Sequence, residues 1–188
     1  MSDRMVIEQC APTLAGLKTG SLFSCRYHTR TEVQRFIRRL NGLLRSKGIR
    51  VLPIKYMEDR VLIYLYRPDF LEKDLENENA SMILGGLGYR PDSADRCVVA
   101  LINRLAGSAS NKEFPHEIGL FLGYPPEDVQ GFICHKGADC KCVGYWKVYG
   151  DEKKAQRKFD MYKKCTAVYE SRFARGTSLE KLAVRIAV

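Results

Sequence analysis

The stretch TRTEVQRFIRRLNGLLRSKGIRVLPIKYMEDRVLIYLY, residues 29–66, predicts one helix followed by two strands. Thr29 and Glu32 form a capping box, and apolar residues then recur at helical spacing. Residues 49–56 and 60–66 are rich in strand-forming side chains and are separated by a short acidic turn. An antiparallel hairpin is the simplest interpretation of that pair, so the stretch combines helical and sheet structure in one compact segment.

Outward from this stretch, the chain predicts more helix than strand. The remaining predicted elements are, in chain order, a helix over residues 11–17, a strand over 22–27, helices over 68–77, 78–87 and 92–106, a looser region at 107–111, two short helices within 113–132, a strand over 143–149, a long helix from Asp151 that stops at Gly176, and a short helix after a capping box at 177–180. The predicted fold class is therefore α+β, a single, largely helical domain over residues 1–188 around a small mixed sheet of about four strands.

Composition limits the kind of protein this is. With 188 residues, 45% of them hydrophobic and 28% charged, the chain can bury a core without a metal or disulfides. Its longest apolar runs are too short to cross a bilayer, and Asp3 and Glu8 interrupt the apolar stretch that a signal peptide needs. We therefore expect a cytoplasmic protein that does not enter membranes, with its seven cysteines as reduced thiols.

Three sequence blocks carry a resemblance to a known family. These blocks are CAPTLAGLKTGSLFSC at residues 10–25, FPHEIGLFLGYPPEDVQGF at 114–132 and GYWKVYGD at 144–151. In content and order they resemble an uncharacterised family of anaerobic Firmicutes, chiefly Clostridia, that is defined by a domain of unknown function. The resemblance implies a bacterial cytoplasmic setting. It implies no activity and assigns no catalytic residues.

Two of these blocks contain candidate groups for a small-molecule or thiol-dependent enzymatic site. Cys10 directly precedes a predicted helix whose N-terminus would lower the pKa of the thiol, and His116 is the candidate base across a groove. Glu117 is the third candidate catalytic residue. Lys18 and Tyr124 are candidate ligand-binding residues, Lys18 because an ammonium can hold an oxyanion or a carboxylate.

Structural interpretations of the same residues remain open. Cys10 also fits a buried structural cysteine, and His116 fits a packing or capping role. Adjacent helical residues point about 100 degrees apart, so His116 and Glu117 are not expected to act on one atom together. Tyr124 and Trp146 fit either a pocket wall or a filled core, which their spacing does not distinguish.

The alternative function is a non-enzymatic binding module. The formal net charge is +9, and the predicted helix that follows Thr29 carries a basic face opposite its apolar stripe, formed by Arg35, Arg38, Arg39 and Arg45. Guanidinium groups on one helix face can bind the phosphates of nucleic acid or another anionic partner. The competing interpretation is a solvated helix face without a partner.

A cysteine-rich loop is the most metal-like segment of the chain. Cys134, Cys140 and Cys142 lie close together in sequence, with His135 beside the first of them. A structural zinc site takes two ligand pairs at recurring spacing, and here the fourth ligand would have to be His135, awkwardly placed beside Cys134, or a distant residue. The competing interpretation is an exposed loop with incidental cysteines. We therefore predict no metal site, and the sequence identifies no cofactor.

Overall fold

A computed structural model describes residues 1–107 and 114–186. The predicted looser region therefore lies outside the described residues from 108 onward, as does residue 113 at the start of the histidine segment. The helices are α1 (Asp3–Leu14), α2 (Arg30–Leu44), α3 (Pro68–Leu75), α4 (Glu78–Gly86), α5 (Ala94–Gly107), α6 (Ile118–Phe121), α7 (Pro126–Cys134), α8 (Glu152–Ala174) and α9 (Leu179–Leu182). The strands are β1 (Gly20–Arg26), β2 (Arg50–Tyr56), β3 (Arg60–Tyr66), β4 (Cys142–Val143) and β5 (Lys147–Val148).

The largely helical α+β class is confirmed, with 56% of the described residues in helices. The strands form two antiparallel sheets, one of three strands in the order β1-β3-β2 and one of the two short strands β4 and β5. The chain divides into two compact units, Met1–Asp69 with Tyr162–Val188 and Phe70–Met161. Folding of residues 1–188 as one domain stays a prediction. In the part of the chain that is described, no helix is long and apolar enough to span a bilayer.

The first unit is built on the three-stranded sheet. α2 begins at the predicted cap, where the side chain of Thr29 accepts a hydrogen bond from the backbone N–H of Glu32. The apolar face of α2 and that of α1 join the inner residues of β1, β2 and β3 in one buried core. β3 lies in the middle of the sheet, which fits its unbroken apolar sequence.

The helix predicted over 11–17 is wrong in extent, because α1 begins eight residues earlier, at Asp3. The side chain of Ser2 caps it by accepting a hydrogen bond from the N–H of Met5. A helix that started at residue 11 would have Pro12 in its first turn, whereas Pro12 lies in the last turn of α1. The chain leaves the helix through Gly16 at a φ of +74°, where an added Cβ would lie 2.7 Å from Ile186.

Arg67 fixes the end of α1 from the inside of the first unit. Its guanidinium donates to the carbonyl oxygens of Thr13 at 2.8 Å and Leu14 at 2.9 Å, which end the helix. It also donates to the carbonyl oxygens of Lys47 at 3.1 Å and Val184 at 2.8 Å. Only 2% of Arg67 is exposed, and burial lowers its pKa. One cation thus replaces water for four backbone acceptors from three distant segments.

The second unit is mainly helical. α4 and α7 pack together, and α7 also contacts the short β4–β5 hairpin. The strand predicted over 143–149 is wrong, because the chain turns back at residues 144–146 and pairs Cys142 with Val148 and Val143 with Lys147. The turn is closed by a hydrogen bond of 3.0 Å from the N–H of Gly144 to the carbonyl of Trp146. Gly144, the second residue of the predicted strand, therefore begins the turn of a hairpin.

Candidate ligand-binding pocket

A cavity of about 290 Å³ opens within the second unit, between α6, α7 and the β4–β5 hairpin. We call it the Trp146 pocket. Its walls are largely apolar, and it is lined by His116, Ile118, Gly119, Tyr124, Asp128, Val129, Phe132, Val143, Gly144, Trp146 and Lys147. Its volume lies at the small end of the range for ligand sites, roughly 300–1,000 Å³.

Aromatic rings form one wall of the pocket. Trp146 is the only tryptophan in the chain, and its ring stacks on that of Tyr124 with centroids 4.7 Å apart. Phe159 of α8 packs edge-on against Trp146 from another side at 4.6 Å. The hydroxyl of Tyr124 donates to the carbonyl of Tyr145 at 3.2 Å, and burial raises the pKa of Tyr124 to about 12. Tyr124 is therefore a neutral, fixed part of this wall at physiological pH.

Asp128 holds the hairpin in place against α7. One carboxylate oxygen accepts hydrogen bonds of 2.7 Å from the backbone N–H groups of Tyr149 and Gly150. The other oxygen accepts a bond of 2.7 Å from the indole N–H of Trp146. Asp128 is buried and lies in the first turn of α7, where the helix dipole favours a negative charge. Its role is to orient the indole ring and the hairpin.

His116 and Lys147 are basic side chains that line the pocket. The ring of His116 lies 4.8 Å from that of Phe132, centroid to centroid. The ammonium of Lys147 lies 5.8 Å from the centroid of the same phenyl ring, and it donates to the carbonyl of Gly137 at 2.6 Å. Both side chains are half-buried and border the cavity. Phe132 is thus flanked by the two groups on the pocket wall that can be cationic.

Glycine allows rings to approach the backbone at three places in the second unit. A Cβ on Gly119 would lie 2.8 Å from Val129 and 3.1 Å from Tyr124. A Cβ on Gly131 would overlap the ring of Tyr149, and one on Gly144 would overlap the ring of Phe159. The shape of the pocket wall therefore depends on the absence of side chains as well as on their presence.

Glu117 is directed to a different set of contacts. The hydroxyl of Tyr89 donates to one of its carboxylate oxygens at 2.8 Å, and Nε of Arg104 donates to the same oxygen at 2.6 Å. Only 3% of Glu117 is exposed. Burial, and then the adjacent Glu117, raise the pKa of Tyr89, so its hydroxyl stays protonated as the donor. These contacts hold the buried carboxylate of Glu117 in an ion pair with the exposed Arg104, and Glu117 does not line the Trp146 pocket.

Cys10 and Lys18 belong to the first unit, whereas His116 and Tyr124 belong to the second. Cys10 is completely buried, and burial raises the pKa of its thiol to about 12. Burial lowers the pKa of Lys18 to about 8, and its charge interacts with Cys10. Since α1 begins at Asp3, Cys10 lies in the third turn, away from the helix N-terminus that would have favoured a thiolate.

The arginines of α2 differ in their contacts. Arg35 and Arg38 are exposed, and Arg39 forms an ion pair with Asp3 of α1. Arg30 lies over the ring of Tyr56, with Cζ 4.9 Å from the ring centroid. The face therefore offers at least two exposed guanidinium groups to an anionic partner.

The cysteine-rich loop lies at the end of α7 and the start of β4. Cys134 is exposed and accepts a hydrogen bond from the side chain of Gln130, while Cys140 and Cys142 are half-buried. Within residues 1–107 and 114–186, no group of three or more histidine, cysteine or acidic side chains is arranged to hold a metal ion. All seven cysteines are free thiols in the structure.

Phe132, Lys147 and Asp128 are pocket residues that sequence reasoning did not select. The sequence does not decide whether Trp146 belongs to a pocket wall or to the core. In the structure it lines the pocket, and its indole N–H donates to Asp128. One signal was available for Asp128, because it follows Pro125 and Pro126 at the start of a helix. No local signal pairs it with a hairpin about twenty residues later.

The chain belongs to the family described as "Protein of unknown function (DUF3793)", which it matches over residues 6–183. No curated protein and no solved structure matches the chain. Family membership thus covers nearly the whole sequence but assigns no activity. A function has to be argued from the geometry of the sites.

Proposed function

We propose that this protein binds a small molecule in the Trp146 pocket. The observation that carries the proposal is a largely apolar cavity of about 290 Å³ with stacked aromatic rings on one wall and the polar groups of His116 and Lys147 on its border. Concave apolar walls with a few polar groups are the usual composition of a small-molecule site. The proposed setting is the bacterial cytoplasm, as in the resembling clostridial family.

Burial of Cys10 favours binding over the thiol-dependent version of this function. A thiol whose pKa is about 12 has almost no thiolate at neutral pH, and the thiolate is the nucleophile. The site proposed from Cys10, Lys18, His116, Glu117 and Tyr124 stays a prediction. Within it, His116 and Tyr124 are the two residues that support a ligand site, because both line the same cavity.

The lone tryptophan makes this proposal directly testable. A panel of small aromatic fragments would be titrated while the fluorescence of Trp146 is followed under selective excitation of tryptophan. Binding in the pocket changes the surroundings of the indole ring, so at least some fragments are expected to give saturable changes in intensity or emission maximum. Ligand-observed NMR on the same samples checks that each optical change reports binding.

Two variants separate pocket binding from other binding. Phe132→Leu removes a flat ring from the cavity wall but keeps an apolar side chain, and we expect fragment affinity to fall about three- to tenfold, from the lost aromatic contact of about 0.5–1.5 kcal/mol. Val99→Ala is the control, because Val99 is exposed on α5 and does not line the pocket. If no fragment gives a saturable change, or if both variants weaken binding equally, the proposal is wrong.

The second candidate function is polyanion binding by the arginine face of α2. It is supported by the exposure of Arg35 and Arg38 together with the net charge of +9. Charge reversal of these two residues to glutamate should weaken binding to a single-stranded oligonucleotide and reduce the slope of affinity against salt by about two. An unchanged affinity and slope would remove this function.

A further inference from the structure

We propose that the ligand of the Trp146 pocket is a planar organic anion whose negative group is held by His116 and Lys147. This inference rests on the proposed function and adds the chemical class of the ligand. Three observations support it. They are the basic side chains that border the cavity, the hydrogen bonds that the protein already donates to the Asp128 carboxylate, and the flat shape of the apolar wall.

The titratable charges on the pocket wall favour an anion. Among the described residues that line the pocket, the basic side chains are His116 and Lys147, and the carboxylate is Asp128. Asp128 accepts three hydrogen bonds from the protein and lies at the positive end of α7. The charge of Asp128 is therefore compensated within the fold, and its carboxylate binds protein donors and not a ligand.

Both basic side chains lie against the same ring of the wall. The imidazole of His116 and the ammonium of Lys147 each pack against the ring of Phe132, at 4.8 Å and 5.8 Å from its centroid. An ammonium has three N–H donors, of which Lys147 uses one for the carbonyl of Gly137. That bond fixes the position of the ammonium and leaves donor capacity for a carboxylate or a phosphate.

The rest of the wall selects for a flat, apolar body. Trp146 and Tyr124 are stacked with an interplanar angle of 28°, and both rings border the cavity. The indole N–H and the Tyr124 hydroxyl are engaged with Asp128 and with the carbonyl of Tyr145. Since the donors of this wall are already used inside the protein, the wall offers a ligand mainly aromatic surface, which suits a planar ring.

The test compares two probes of equal shape, 3-phenylpropionate and its neutral counterpart 3-phenylpropan-1-ol, by titration against Trp146 fluorescence. A charge-assisted contact is worth about 1.5–3 kcal/mol, so the acid is expected to bind roughly ten- to a hundredfold more tightly than the alcohol. Lys147→Met should reduce affinity for the acid about tenfold and change that for the alcohol less than twofold. His116→Gln should act in the same direction.

Lys141→Met is the matched control. Lys141 also borders the hairpin and also donates to a backbone carbonyl, that of Gly150 at 2.6 Å, but it does not line the cavity. Its replacement removes the same charge and should leave both affinities within twofold. If acid and alcohol bind equally in the wild type, or if Lys141→Met lowers acid affinity as much as Lys147→Met, the ligand class is wrong and the pocket still binds. If neither probe binds, both the ligand class and the proposed function fail.

Discussion

Replacing Arg67 by methionine is expected to lower the free energy of unfolding by about 4 kcal/mol. Methionine keeps an unbranched chain and removes all of the guanidinium donors. The carbonyls of Thr13 and Leu14 are the buried acceptors of Arg67, while its bonds to Lys47 and Val184 are only partly buried. Each of the two buried carbonyls keeps one other hydrogen bond, that of Thr13 from the N–H of Gly16 and that of Leu14 from the N–H of Val184. Water can replace the partly buried pair, so the cost comes mainly from the loss of two buried, charge-assisted hydrogen bonds at the end of α1.

A hydrogen bond to a charged group contributes about 1.5–3 kcal/mol, so the loss of two of them costs roughly 3–6 kcal/mol. Part of this is offset, because the variant no longer has to bury a charge, and a packed apolar side chain recovers some of that penalty. Arg67→Lys should lose nearly as much as Arg67→Met. An ammonium keeps the charge but has three donors on one atom, and it cannot reach four carbonyls that approach from different sides.

Urea denaturation followed by far-ultraviolet circular dichroism measures this difference. Arg38→Met is the control, because it makes the same chemical change on the exposed face of α2 and should shift stability by less than about 0.5 kcal/mol. A loss below about 1 kcal/mol for Arg67→Met, with an unchanged dependence on urea, would refute the idea that this residue stabilises the end of α1.

Four further outcomes follow from the contacts described above. Asp128→Asn leaves at least one of three donors without an acceptor, so it should lower the free energy of unfolding by about 2–3 kcal/mol. Urea denaturation followed by Trp146 fluorescence measures this loss, and a change below about 0.5 kcal/mol would contradict the role of Asp128. Alkylation of the native protein, read by peptide mass spectrometry, should label exposed Cys134 quickly and Cys10 only on unfolding, and rapid labelling of Cys10 near neutral pH would revive the thiol site. Because burial lowers the pKa of Lys18 from 10.5 to about 8, the unfolded chain binds more protons between these values, so stability should rise with pH there. The raised pKa of Cys10 opposes this above about pH 9, so Cys10→Ala should show the rise more clearly and Lys18→Met should abolish it. If residues 1–188 form one folding domain, unfolding followed by Trp146 fluorescence and by circular dichroism should give coincident transitions.

The elements that could be predicted from sequence are those encoded locally. α2 has its cap, its apolar stripe and its glycine stop within twenty residues, and the structure places the helix at Arg30–Leu44. The hairpin of β2 and β3 is likewise encoded by two strand-forming runs and one turn. The predicted first helix is too short because Pro12 favours a start at residue 11, where it would lie in the first turn. The recurrence of Val6, Ile7, Cys10 and Leu14 at helical spacing already indicates a longer helix.

The parts that could not be predicted depend on partners far away in sequence. Arg67 donates to carbonyls 20 to 117 residues away, and no motif encodes such a set of acceptors. The Trp146 pocket likewise combines His116, Phe132 and Lys147, which lie in different segments and come together only when the chain folds. His116 and Tyr124 were selected because they are chemically versatile residues beside a glycine turn. Lys147 lies in a segment whose sequence predicts a continuous strand, and that prediction does not place it beside a pocket.

The three glycines that admit aromatic rings have a consequence for how this protein can change by mutation. At Gly131 and Gly144 even a methyl group would occupy the space of a ring, and at Gly119 it would crowd two neighbours. Saturation mutagenesis should therefore find these codons nearly fixed, while Phe132, Lys147 and His116 accept several replacements. Variation among descendants of this sequence should therefore collect at the side chains that border the cavity and spare the glycines that let other side chains approach the backbone.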